Sequence, residues 1–113
     1  MPDQLVSDAD HVALSRLVVE ISWRIDHGRA DTVWELFVPD GVLDTGGTPL
    51  AGHDAIREWG RSRIASTVRT RHIVSGMRFI TRGNGQATGS TLLTVFMHDG
   101  AGRGPATPAV VGE

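Results

Sequence analysis

Two residues in this sequence would suit proton transfer if folding brought them together. One is Asp26, in WRIDHG at 23–28, and the other is His72, in RTRHIVSGMRF at 69–79. A carboxylate bonded to an imidazole fixes the ring's tautomer and stabilises the imidazolium that forms as the other ring nitrogen takes a proton. The two positions lie 46 residues apart, so spacing does not join them. Each also has a structural reading: Asp26 as a helix-end carboxylate that is solvated or paired with Arg29, and His72 as a hydrogen-bonded structural histidine. His11, His27, His53, His72 and His98 form no i,i+4 pair on a helix and no i,i+2 pair on a strand, so no metal site is expected. No serine sits in a nucleophile elbow, and without cysteine there is neither a thiol nucleophile nor a disulfide. In GNGQATG the glycines are spaced G-x-G-x-x-x-G between two strands with no helix to receive a pyrophosphate, so a hairpin turn is read there and no cofactor is expected.

The elements that must position these residues follow from periodicity. Residues 8–27 read as a helix, with Leu14, Leu17, Val18, Ile21 and Ile25 inward and Asp8 or Asp10 as its cap. Gly28 stops it. With Leu14 at zero on a helical wheel, the apolar stripe lies within about 60° and Asp26 near 120°, beside Val19, Ser22 and Trp23 and off the charged face. These three are candidate substrate contacts. A short second helix in ADTVWELFV, with Asp31 as N-cap, ends before Pro39. PDG is a turn, Val42-Leu43-Asp44 a short strand and TGGTPLAG a loop, and HDAIREWGRSRIAS a third helix with Asp54 and Glu58 near its positive end.

The period then changes. Residues 68–82 alternate as a strand, with Gly76 as a bulge, and Asn84-Gly85 signals a tight hairpin into a strand over 87–98. Val74 shares the face of His72. Leu92, Thr94 and Phe96 share one face of the next strand and Leu93, Val95 and Met97 the other, without saying which lines a cavity. We take Phe79, Leu92 and Phe96 as further candidate substrate contacts. AVVG near the end starts another strand. This order is α+β, one domain over 1–113 with helices gathered on one face of a curved sheet.

Charge excludes some partners. The net charge of −2 argues against nucleic acid or an acidic membrane, and no run of apolar residues is long enough to span a bilayer. Residues 1–54 balance at −7 and residues 55–82 at +6, read as a solvated basic face pairing with the acidic half rather than as an anion site. MPDQLVSDAD lacks a basic-then-apolar leader pattern, and a cytoplasmic location is the default expectation.

WRIDHGRADTVWELFVPDGVLD, then PLAGHDAIREWGR, then TRHIVSGMRF resembles the SnoaL-like branch of the nuclear transport factor 2-like superfamily, over roughly residues 8–113. That branch includes scytalone dehydratase, hexachlorocyclohexane dehydrochlorinase and bile-acid dehydratase. The resemblance implies a cone-shaped fold, in which a strongly curved antiparallel sheet wraps three N-terminal helices around a deep apolar pocket. It also implies His72 as general base and Asp26 as its orienting partner, acting without a cofactor on an apolar cyclic or polyketide-like molecule by elimination or isomerisation. A non-catalytic binding or assembly module of the same fold is the alternative. The chain departs from the dehydratases in having no tyrosine to hold the substrate oxygen, and Ser22, Ser75 or the Trp23 N–H are the candidate replacements. The family's sheet continues beyond the point matching AVVGE, so the expectation is either a truncated product or an oligomer that supplies the missing edge. The default is a homodimer through the sheet.

Overall fold

The computed structural model describes residues 3–99 and, for the last strand, the backbone of 107–112. Helix α1 (Asp8–Asp26) is followed by a 3-10 helix (Ala30–Leu36), a small ribbon of β1 (Val42–Leu43) and β2 (Leu50–Ala51), and helix α2 (His53–Ala65). The long strands β3 (Val68–Gly83), β4 (Gln86–Asp99) and β5 (Thr107–Gly112) form an antiparallel sheet in the order β3-β4-β5. Helices packed against an antiparallel sheet make an α+β fold.

Local chemistry sets the boundaries. The cap of α1 is Ser7, whose Oγ accepts from the Asp10 N–H at 3.1 Å, rather than Asp8 or Asp10. Both acids fall inside the first turn instead, where they favour the positive end of the helix. Gly28, at φ +76°, takes the left-handed conformation that closes the other end. The second helix is 3-10, capped by no side chain, so Asp31 is not its N-cap. It is docked onto α1 by Arg24, whose Nη1 donates to Thr32 O at 2.9 Å and to Glu35 Oε2 at 3.1 Å while Nε donates to Glu20 at 3.0 Å. The Glu20 hydrogen bond, together with Glu35, outweighs partial burial and raises Arg24 above the usual arginine value. TGGTPLAG, read as a loop, contains β2, which pairs Leu50 with Leu43.

The hairpin between β3 and β4 turns on Asn84 (φ 54°) and Gly85 (φ 70°), both in the positive region that a two-residue type I′ turn requires. The register pairs Thr70 with Met97, His72 with Val95 and Val74 with Leu93. Between Ser75 and Arg78 it shifts by one residue, at Gly76 with φ +59°. Because side chains alternate with period two, this bulge reverses which β3 residues face the helices. Even-numbered residues face them before it and odd-numbered ones after, so Phe79 turns inward, above Gly89. A Cβ on Gly89 would lie 2.2 Å from the Phe79 ring, so the opposite strand must present glycine there.

The apparent charge division does not produce a paired face. Among the described residues, Arg78–Asp3 at 3.9 Å is the ion pair that joins the basic stretch to the acidic one. Arg61 pairs within its own helix with Glu58, and Arg57 lies 4.2 Å over the Trp34 ring.

The core under α2 rests on Ile56 and Val33, both fully buried, and on Gly60. A Cβ on Gly60 would lie 2.2 Å from Ala30 O, so α2 and the 3-10 helix touch backbone to backbone. Gly60→Ala gains about 1 kcal/mol of helix propensity but forces this contact apart, and overpacking costs about 1–3 kcal/mol or more. We expect a melting temperature several degrees below wild type by calorimetry; an unchanged or raised value would mean the contact yields freely.

Candidate active site

Asp26 is the last residue of α1, on the flank between the inward stripe and solvent. From there its carboxylate reaches the edge of β3 that β4 does not cover. Oδ2 accepts the backbone N–H of His72 at 2.8 Å. Oδ1 lies 2.6 Å from His72 Nδ1 and accepts the Thr70 hydroxyl at 2.8 Å. The Asp26 side chain is 6% exposed and that of His72 15%, so the short contact is largely screened from water.

The proton positions follow from donor chemistry. An ionised carboxylate only accepts, so His72 Nδ1 carries hydrogen and, in the neutral ring, Nε2 holds the lone pair. Nε2 has no hydrogen-bond partner among the described residues. Thr70, 5% exposed, gives its hydrogen to Asp26 and so accepts from Arg63 Nη2 at 3.2 Å. Arg63 Nη1 donates to Val68 O at 2.9 Å, and Arg71 Nη1 bridges Asp26 O at 2.9 Å and Thr70 O at 2.7 Å. A chain of hydrogen bonds therefore joins Arg63, Thr70, Asp26 and His72, with Thr70 and His72 both donating to Asp26. It also satisfies backbone groups along the open edge of β3.

His72 stands in the wall of a cavity of about 480 Å³ between α1, α2, the β1–β2 ribbon and the sheet. Val18, Ile21 and Ile25 line it from α1, Leu43 from β1 and Trp59 from α2. The sheet contributes Val74, Leu93, Val95 and Met97. This volume suits a small, mostly apolar ligand oriented by a few polar groups. A second cleft of about 460 Å³ lies on the outer side of Asp26, beside Arg69 and Arg71. Ile25, Thr70 and Arg63 line both spaces and so form the partition between them.

The other sequence-derived candidates divide. Ser22 and Val74 line the cavity with His72. Trp23 and Val19 do not: they lie farther around α1, 43% and 45% exposed, and Trp23 stacks on His27 at 4.3 Å. Leu92 and Phe96 lie on the opposite face of the sheet, because the register pairs the His72 face with Leu93, Val95 and Met97. Phe79, after the bulge, lines an adjoining space of about 310 Å³ with Leu14, Leu17 and Val18. Of the proposed tyrosine replacements, Ser22 is in the wall and Ser75 and Trp23 are not. Sequence reasoning missed Thr70 and Arg63. Thr70 shares the face of His72 two residues away and was legible by alternation, whereas nothing along α2 marks Arg63. No group of three or more His, Asp or Glu side chains that could hold a metal ion occurs among the described residues, and no helix there is long and apolar enough to cross a membrane.

Comparison with known proteins bears on the fold. The model of the SnoaL-like domain matches residues 8–112. No curated protein matches in sequence. A protein of unknown function from Mycobacterium tuberculosis superposes with a TM-score of 0.80 at 20% identity, covering 94% of this chain and 64% of that one. The protein Aln2 from a Streptomyces species gives 0.78 at 21% identity, covering 96% and 78%. A candidate scytalone dehydratase from Novosphingobium aromaticivorans gives 0.74 at 16% identity, covering 87% and 66%. The chain thus spans about two thirds of the length of the first and third of these structures.

Thr70→Val should remove one donor from Asp26 and leave Arg63 Nη2 without its acceptor. Breaking a buried, charge-assisted bond of this kind costs about 1.5–3 kcal/mol. Denaturant unfolding should show that loss, with Thr70→Ser recovering most of it. A Thr70→Val protein as stable as wild type would mean that the hydroxyl is dispensable.

Proposed function

We propose that this chain, which belongs to the SnoaL-like domain family, is a small acid–base enzyme that works without a cofactor. Its substrate is an apolar cyclic or polyketide-like molecule held in the 480 Å³ cavity. His72 Nε2 takes a carbon-bound proton or one from water, and Asp26 holds the ring in the tautomer that leaves Nε2 free. The reaction is of the lyase, dehydratase or isomerase type. The observation that carries this reading is the 2.6 Å contact of Asp26 Oδ1 with Nδ1 of His72, a residue in the wall of that cavity. A candidate scytalone dehydratase among the similar folds supports the dehydration side as an analogy.

The same reading extends to the assembly, as a homodimer through the outer face of the sheet. Ile73 and Leu92, each 55% exposed on that face, support it.

A panel of hydroxylated cyclic ketones, followed for loss of water and for double-bond migration, tests the chemistry. General-base catalysis contributes about 10²–10⁴-fold, so His72→Ala should lower kcat by that range. Asp26→Asn should lower it by up to about 10⁴-fold, because an amide in that position favours the wrong tautomer of the ring. Equal turnover by wild type and His72→Ala would remove His72 as the base. Ligand binding without turnover by wild type would favour a binding module instead. For the assembly, light scattering should report a dimer for wild type and a monomer for the Ile73→Glu, Leu92→Glu double variant; a monomeric wild type would end that part of the proposal.

A further inference from the structure

The proposed base lacks an electrophile. If His72 removes a proton beside a carbonyl, negative charge develops on the carbonyl oxygen, and catalysis needs a donor placed where that charge appears. The chain has no tyrosine to serve. The hydroxyls in the cavity wall are those of Ser22, Thr45, Thr70 and Thr91. Two are committed: Thr70 donates to Asp26 at 2.8 Å and Thr91 to Ser75 O at 2.9 Å.

Three ionisable side chains line the cavity: Asp44, Arg63 and His72. Asp44 accepts the Gly46 N–H at 2.8 Å and repels an anion at its own end. Arg63 is half-buried, and no carboxylate lies within 4.0 Å of it among the described residues. Of the five N–H groups on a guanidinium, its recorded bonds use one on Nη1 and one on Nη2, and both acceptors, Val68 O and Thr70 Oγ1, are neutral. The nearest carboxylate on this path, Asp26, is reached only through Thr70, and a partly buried cation with no anion in direct contact would be relieved by an anionic ligand oxygen. The two bonds also tie the guanidinium to the strand that carries the base. Thr70 and His72 are two residues apart on one strand face, about 6–7 Å along β3.

We propose that Arg63 receives the substrate's oxygen, and that the substrate class is an apolar carbonyl compound bound as its enolate in the transition state. This rests on His72 being the base. The C–H bond adjacent to the carbonyl breaks and its proton moves to His72 Nε2. The electron pair forms a carbon–carbon double bond, and the carbonyl π pair moves to the oxygen, which Arg63 holds. The step then closes in one of two ways. Return of the proton to a conjugated carbon completes an isomerisation. Expulsion of a β-hydroxyl, protonated by His72, releases water and completes a dehydration. Either route restores the neutral imidazole.

Binding tests this apart from turnover. The probes are 2-naphthol, whose oxygen can become anionic, and 2-methoxynaphthalene, whose oxygen cannot. Titration calorimetry and ground-state absorbance should show wild type preferring 2-naphthol and drawing it toward naphtholate. Arg63→Met should weaken 2-naphthol tenfold or more and the ether less than twofold, while Arg63→Lys, which keeps the cation, should retain most of the preference even if the Met variant fails to fold. Equal loss of both probes by a folded Arg63→Met or by Arg63→Lys, no preference in wild type, or transfer of the effect to Ser22→Ala or Trp59→Phe would overturn the inference. If the preference depends on Arg63 but His72→Ala turns over ketones as wild type does, the base assignment fails while the oxygen site stands.

Discussion

The carboxylate of Asp26 is the joint on which this site depends. It accepts from three donors, the backbone N–H and ring Nδ1 of His72 and the hydroxyl of Thr70, at 2.6–2.8 Å. One of those bonds is a sheet-edge bond. The N–H of His72 points away from β4, toward water that the end of α1 displaces, and Asp26 Oδ2 takes the place of a neighbouring strand. The same group therefore closes an open edge and orients a ring. A backbone polar group left unpaired at such an edge would be costly if buried and adhesive if exposed. The geometry of the Asp–His contact is consequently held by the fold as well as by the pair itself.

The polar chain converges on Asp26 from two sides. Arg63 donates to Thr70, Thr70 to Asp26, and Asp26 accepts from His72, so no proton position is ambiguous until Nε2 is reached. Charge-assisted bonds in a partly dry site are stronger than neutral ones in water, and each member restrains the next. Arg63 also bonds Val68 O, which brings α2 into the same arrangement. The end of α1 and the junction of α2 with β3 thus share one polar seam, and the apolar cavity opens on one side of it.

The sheet supplies the complementary constraint. Before the Gly76 bulge the even residues of β3 face the cavity, and after it the odd ones do. A regular strand could not present both His72 and Phe79 to the helices. The extra residue allows Thr70, His72 and Val74 to line the cavity while Phe79 packs above Gly89 against α1. The antiparallel register from the Asn84-Gly85 turn then brings Val95 opposite His72. In this way a two-residue turn helps to choose the apolar surface that a ligand would meet.

The sequence by itself determined the element order, the helix stop at Gly28, the bulge, the hairpin and the off-stripe position of Asp26. Each of these is local: one residue's allowed dihedrals or one period of hydrophobicity decides it. Resemblance then joined Asp26 to His72, which periodicity alone left apart. What only the tertiary structure decided is everything that needs a partner from elsewhere in the chain. Leu92 and Phe96 were placed on the wrong face because alternation defines two faces of β4 without telling which meets α1; cross-strand register decides that. Trp23 and Val19 were drawn inward because a wheel gives angles but not how far the packed face extends; α1 turns Ser22 in and leaves Trp23 on His27. Arg63, in the last turn of α2, carries no signal of its own, since its role exists only once the turn into β3 sets Val68 O and Thr70 beside it. Periodicity is a property of one segment, whereas a site is a property of several, and only packing brings their side chains within bonding distance.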